Sequence, residues 1–255
     1  VAPVALWIVD LVAGAEVLVE FAHRHCLQQD PPASGSLAPS VAQPRATARA
    51  ALRIILSGYV GLAAARRPFI LARGGKPNFD QRTGAPIDFS LAHCDTAAII
   101  AVSNDGPIGV DIEAPRSIRI PDHRRLQLLE AASSLALQDP LPDGPGEARF
   151  LQAWVRLEAL AKLTGEGLGA LLGRLDDDAP PIARTLVKGC QAIVRDVSIT
   201  NDPPLYAAVA GIGRTLSCDS APVATWLPED PHWLEDWVAG ATDRAPGAIH
   251  PMSPQ

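Results

Sequence analysis

Ile108-Gly-Val-Asp-Ile-Glu113 and, further along, Trp154-Val-Arg-Leu-Glu-Ala-Leu-Ala-Lys162 are the stretches that decide how this chain is read. The first has the apolar character and alternation of a strand. Asp111 and Glu113 are two residues apart in it, so both side chains leave the same face. The second has the pattern of a helix, in which Glu158 and Lys162 are four apart and share a face. Packed against each other, the two faces make one acidic pocket with a cationic rim.

Working outward, Val4 to Leu11 predicts a buried strand, and the alternation of Val17, Val19 and Phe21 predicts a second. Asp30 to Pro44, rich in Pro, Ser and Ala, predicts an irregular connection. Arg45 to Leu62 predicts a long helix with the apolar stripe Ala48, Leu52, Ile55, Tyr59 and Leu62. Phe69 to Arg73 predicts a strand leading into Gly74-Gly75-Lys76-Pro77, and Phe89 to His93 a short extended piece. Thr96 to Val102 and Ile108 to Glu113, joined by Ser103-Asn-Asp-Gly-Pro107, predict an antiparallel hairpin. Helices are expected over Asp122 to Leu137 and Glu147 to Leu163, the latter stopped by Gly165. Ile193 to Thr200 and Leu205 to Ile212 complete the strands. The fold class is therefore α+β. Ala97 to Val102 and Leu205 to Ala210 stand in the same relative place, which suggests two α+β subdomains, 1–107 and 108–240, with a cleft between them. A mobile tail is expected over 241–255.

The bulk numbers narrow the function. At 255 residues, 47% hydrophobic and 20% charged, the chain can bury a sizeable core. A net charge of −6 gives no nucleic-acid signature, so an anionic ligand must be met by a local patch. Cys26, Cys94, Cys190 and Cys218 contain no C-x-x-C pair and read as free thiols. Val1 to Leu11 is too short for a membrane span and lacks a basic leader; a cytoplasmic protein is the expectation.

Magnesium takes oxygen ligands and commonly one or two carboxylates together with substrate phosphates. Asp111, Glu113 and Glu158 offer one carboxylate more than that, so either all three bind metal or one serves as a base. A solvated strand face and a solvated helix face are the alternative. Arg45, Arg49 and Arg53, at i, i+4 and i+8, are either the wet side of an amphipathic helix or a phosphate clamp. Gly74-Gly75-Lys76-Pro77 lacks P-loop spacing. Asp176-Asp-Asp178 reads as a solvated charge run.

The order Gly75-Lys76-Pro77, Phe89-Ser-Leu-Ala-His93, Gly109-Val-Asp-Ile-Glu113, then Trp154-x-x-x-Glu158-Ala159-x-x-Lys162 with Gly165-Glu-Gly-Leu-Gly169 resembles the 4′-phosphopantetheinyl transferases. The resemblance is to the two-subdomain, surfactin-synthetase-activating type, and it runs from about Arg45 to Gly169. It implies two subdomains related by a pseudo-twofold axis, with coenzyme A in the cleft. It implies that Asp111, Glu113 and Glu158 hold Mg2+ on the pyrophosphate and that Lys162 neutralises a pyrophosphate oxygen. Arg53, Lys76 and His93 would meet the phosphates of the nucleotide end. The backbone around Gly75, Pro77 and Cys94 would line the adenine pocket. Two positions depart from the family pattern: Leu157 replaces a Lys before the metal-binding Glu, and Ala92 replaces a Ser before the His.

The implied reaction moves the 4′-phosphopantetheine arm of coenzyme A to a serine of an apo acyl, peptidyl or aryl carrier protein and releases 3′,5′-ADP. Glu158 is the candidate base and Lys162 the charge stabiliser. The stretch Arg116, Arg119, His123, Arg124, Arg125 is expected either to touch the acidic carrier or to be a solvated helix start. Family analogy implies a monomer. Two further readings stay open: an impaired relative that binds coenzyme A without efficient transfer, and a non-enzymatic interaction domain.

Overall fold

The computed structural model describes residues 4–27, 39–72, 75–79, 87–135, 140–143, 146–173, 185–187, 189–213, 216 and 224–240. Its first strand, β1 (Ala5–Asp10), ends where the Asp10 carboxylate accepts the amides of Val12 and Ala13 and turns the chain back. The next element is helix α1 (Ala15–Arg24), not the strand expected over Val17 to Ala22. Ala15, Leu18, Phe21 and Ala22 are its buried residues, a helical spacing, while Val17 and Val19 are only partly covered. Alternation over five residues fits both periods, and packing against the neighbouring helix chose between them.

That neighbour is α2 (Pro39–Val60), which extends the expected helix backwards and absorbs Pro44 within its first two turns. Ala48, Leu52 and Ile55 are buried as the stripe requires, and Leu62 opens the short α3 (Leu62–Ala65). A two-stranded ribbon, β2 (Ile70–Leu71) with β3 (Pro77–Asn78), carries the Gly75 turn. Then come β4 (Asp88–His93), β5 (Ala97–Ser103) and β6 (Gly109–Glu113).

The expected hairpin between the last two does not form. β5 pairs antiparallel with both β1 and β4, whereas β6 pairs with β9 (Tyr206–Ile212) in a second sheet. Every residue of β5 is buried, because both of its faces and both of its edges are covered. A strand so enclosed reads as a continuous apolar run and leaves no edge for the next strand.

Between β6 and β9 lie α4 (Asp122–Leu135), α5 (Gly146–Thr164), α6 (Leu168–Gly173), β7 (Leu186–Val187) and β8 (Cys190–Asp196). The sheets are ordered β10-β1-β5-β4, with β10 (Thr225–Trp226) parallel to β1, and β6-β9-β8-β7. Three cores result. One lies between the helices α1, α2 and α7 (Pro231–Ala239) and the first sheet, and one between α4, α5 and the second sheet. The third, with Leu6, Ile8, Ile99, Val110, Ile112 and Val209, lies between the two sheets. The order of layers is helices, sheet, sheet, helices.

The C-terminal segment returns to the first core, so the assignment of all of 108–240 to the second subdomain is corrected for 225–239. Trp237 is buried with its ring 5.1 Å from Trp7 and 5.2 Å from Trp233, and its indole N–H donates to the carbonyl of Ile54. A Cβ on Gly58 would stand 2.2 Å from the Trp237 ring, so α2 carries glycine there. The tail expected over 241–255, Cys218 and Asp176 to Asp178 lie outside the described residues. Among the described residues no helix is long and apolar enough to cross a membrane.

Candidate active site

Gly109 brings the two decisive stretches together. A Cβ there would lie 2.1 Å from the carbonyl oxygen of Ala159 and 2.5 Å from the amide nitrogen of Leu163. Only glycine lets α5 come that close to β6. Asp111 and Glu113 share the face of β6 that Gly109 presents, and the approach sets Glu158 and Lys162 over it. The Lys162 ammonium donates to Asp111 Oδ1 at 2.7 Å.

Asp111 is 7% exposed, and its Oδ2 is buried with no hydrogen-bond partner. Burial pushes its carboxyl up to about 6; Lys162 opposes the rise, and the charges of Glu158 and Glu113 add to it. Glu158, half-buried, is also raised, first by burial, with Lys162 opposing and Glu113 adding. Glu113 is turned aside: both of its oxygens accept from Arg116, Oε2 from Nε at 2.7 Å and Oε1 from Nη2.

Among the described residues no group of three His, Cys, Asp or Glu side chains stands as a ready metal cage. The three carboxylates feel one another's charge, but Asp111 is shared with Lys162 and Glu113 with Arg116. The donor set nevertheless suits a hard divalent ion. It consists of carboxylate oxygens, one of them buried and unsatisfied, and magnesium needs only one or two such ligands when phosphates supply the rest. Asp111 and Glu158 could hold such an ion directly, and Glu113 only after leaving Arg116.

Beside them opens a cleft of about 310 Å³ lined by Gly75, Lys76, Pro77, Ser90, Glu158 and Lys162 among others, with Gly165 and Gly167 at the end of α5. Gly75 (φ 81°) donates its amide to Ala72 and turns the ribbon there; Gly74 lies outside the described residues. Lys76 lines this cleft, yet its ammonium already donates to Asp88 Oδ2 at 2.6 Å and to the Ile108 carbonyl at 2.7 Å. His93 and Cys94 sit at the end of β4. Burial lowers the His93 pKa; the Cys94 carbonyl and Asp95 oppose this, while Lys162 and Arg45 lower it further. Arg45, His93 and Lys162 therefore belong to one electropositive neighbourhood. Cys94 is tied by its amide and thiol to the carbonyl of Ala97.

Arg53 is a correction. The basic ridge on α2 is not uniformly wet: Arg53 is 1% exposed, donates to the carbonyls of Ala65 and Arg67 at 2.6 Å, and lies 3.5 Å over the Phe69 ring. Its guanidinium is spent on holding α3 and the turn after it, so it cannot serve as an open phosphate clamp. The i, i+4, i+8 spacing could not distinguish this, because the helix rotates about 80° over eight residues, enough to pass from the wet to the buried side.

Leu157 is fully buried in the second core, and Arg156 beside it forks onto Asp196 at 2.8 and 2.7 Å with no exposure of its own. Within the basic stretch after Glu113, Arg119 and His123 are exposed. Arg125 is committed to Glu147 and to the face of Phe150, and Arg124 donates to Gln127.

No family model matches the chain. Curated relatives do. The chain is 30% identical over 135 residues to slr0495 of Synechocystis, provisionally named a 4′-phosphopantetheinyl transferase, and 30% identical over 124 residues to the 4′-phosphopantetheinyl transferase HetI of Nostoc. These matches take in 52% and 48% of this chain and 53% and 52% of the relatives, so the chain spans about half the length of each. It is also 33% identical over 167 residues, 63% of its own length, to the 4′-phosphopantetheinyl transferase AcpT of Salmonella typhimurium, and that match takes in 82% of the relative. The chain belongs to the 4′-phosphopantetheinyl transferase superfamily. Its α+β architecture agrees with the fold that the superfamily implies. Two features of this superfamily member were missed by isolated motifs, the close approach at Gly109 and the Arg116 counter-ion, whereas Arg45 was already a candidate in the basic ridge of α2. Only Gly109 could have been suspected, as a glycine in the middle of a strand.

Proposed function

We propose that the chain transfers the 4′-phosphopantetheine arm of coenzyme A to a serine hydroxyl of an apo carrier protein. The observation that supports this best is the seating of α5 on Gly109, which sets Lys162 2.7 Å from Asp111 beside a cleft that would take a pyrophosphate. In this reading Asp111 and Glu158 would hold a magnesium ion, with Glu113 a further carboxylate if freed from Arg116, and the ion would supply charge neutralisation at phosphate oxygens. Lys162 remains at the rim and takes up negative charge developing on the bridging oxygen. Arg45 and His93 face the phosphates of the nucleotide end in place of Arg53. The backbone around Gly75, Pro77 and Cys94 borders the adenine, while Lys76, implied to meet the phosphates, has its ammonium on Asp88 and the Ile108 carbonyl.

The serine oxygen forms a bond to the β-phosphorus as the bond to the oxygen of 3′,5′-ADP breaks. The serine proton passes to Glu158, directly or through a water. Positioning and charge neutralisation carry such reactions. The carrier approaches over Arg119 and His123, next to the exposed Leu126. The two sheets correspond to two subdomains of the surfactin-synthetase-activating type, and the protein acts as a cytoplasmic monomer.

The test is mass spectrometry of an apo carrier after incubation with coenzyme A and magnesium. A carrier heavier by one phosphopantetheine supports transfer. An unmodified carrier with coenzyme A still protecting the chain against heat supports the impaired relative, and no protection at all leaves an interaction domain. Glu158→Gln should keep coenzyme A binding largely intact and cut turnover by roughly 100-fold or more. Equal turnover would remove Glu158 from both of its roles.

A further inference from the structure

The first sheet ends at β4 and the second at β6, and these two end strands are not backbone-paired. Side chains of β4 fill the gap. Asp88 Oδ2 accepts the Ile108 amide at 2.8 Å, and Ser90 Oγ accepts the Val110 amide at 3.1 Å. Both pairs are offset by twenty residues, so the rungs advance together along the two strands. Lys76 closes the first rung by bridging Asp88 and the carbonyl of Ile108. At the same offset a third rung would join Ala92 to Ile112, and alanine has no acceptor. Ser90 is 2% exposed, so this is an interior contact and not a surface accident.

We propose that Asp88, Ser90 and Lys76 form a side-chain zipper along the open edge of β6 and are positioning residues for Asp111. Pinning the amides of Ile108 and Val110 fixes the pleat of β6, and Asp111 comes directly after Val110, facing α5. β9 holds the opposite edge of the strand and α5 packs on its Asp111 face, so the zipper secures the one edge that neither of them holds. Lys76 then acts through the backbone, and its cleft-lining position comes from the rung it closes. The purpose of the zipper rests on the reading of Asp111 as a ligand-facing group; its existence as a constraint does not.

The test uses the full chain and three readouts: amide hydrogen exchange at Val110, the carboxyl 13C resonance of Asp111, and affinity for Mn2+ alone by electron paramagnetic resonance, with Asp111→Asn as the site control. Ser90→Ala should speed Val110 exchange and weaken Mn2+ binding, each on the order of 3- to 10-fold, the effect of one lost hydrogen bond. It should also move the Asp111 resonance. Ser90→Thr, which keeps the hydroxyl, should restore all three. Ala92→Ser supplies the missing acceptor and should slow exchange at Ile112, a gain that a variant merely damaging the fold cannot mimic. Unchanged Val110 exchange in Ser90→Ala would overturn the zipper. Faster exchange with the Asp111 resonance unmoved would overturn the positioning role. Absence of Mn2+ binding to the unaltered protein would count against the metal reading alone, and the zipper would then be decided by the other two readouts.

Discussion

Asp111→Asn should make the metal-free protein more stable at neutral pH and leave it nearly unchanged in acid. The native carboxyl is raised from the ordinary 3.8 to about 6, so the folded state prefers it protonated. Stability from this group is full below about pH 4, declines as pH rises toward 6, and is lost above that. At about 1.4 kcal/mol per pH unit, the ionised carboxylate costs about 3 kcal/mol at pH 7.5. Lys162 is already included in that figure, since it opposes the rise. Asparagine carries no charge at either pH and still offers Lys162 a carbonyl oxygen, so the variant should recover about 1–3 kcal/mol. For a chain of this size that is a Tm gain on the order of 3–10 °C at pH 7.5 and almost none at pH 4. Differential scanning calorimetry in EDTA, at pH 4, 6 and 7.5, reads the difference directly. A variant less stable than the native chain at pH 7.5, or a gain of equal size at pH 4, would refute the account of Asp111 as a buried charge awaiting a cation.

Three other substitutions probe the surrounding frame. Gly109→Ala pushes a methyl onto backbone atoms of α5, which cannot swing aside as a side chain can; unfolding should show a loss of about 3 kcal/mol or more, together with loss of Mn2+ binding. Asp196→Ala removes the carboxylate that neutralises the buried Arg156 and should cost about 3–5 kcal/mol in urea unfolding, whereas replacing both by Leu should recover most of it. Arg116→Ala frees Glu113; Mn2+ titration should show tighter binding with Tm hardly changed, because the Arg116 side chain is half exposed.

Much of the site could be read from spacing alone. That Asp111 and Glu113 share one face, and Glu158 and Lys162 another, results from the geometry of a strand and a helix, and both elements lie where their periodicity puts them. The order of motifs was enough to suggest the superfamily. Other features depended on partners far away in the chain. The turn Ser103 to Pro107 suits a hairpin, yet β5 had already filled both edges with β1 and β4, and β6 went to β9. The alternation of Val17 to Phe21 yielded to the helix face that α2 covers. Arg53 turned inward because the carbonyls of Ala65 and Arg67 and the Phe69 ring surround it, and Glu113 turned to Arg116. The tryptophans of α7, silent as a motif, close the first core against Trp7. By itself the sequence determined which side chains share a face, because that depends only on the local backbone repeat. Tertiary structure decided which faces meet and which charges are neutralised before any ligand arrives, because burial and pairing depend on every element that competes for the same surface.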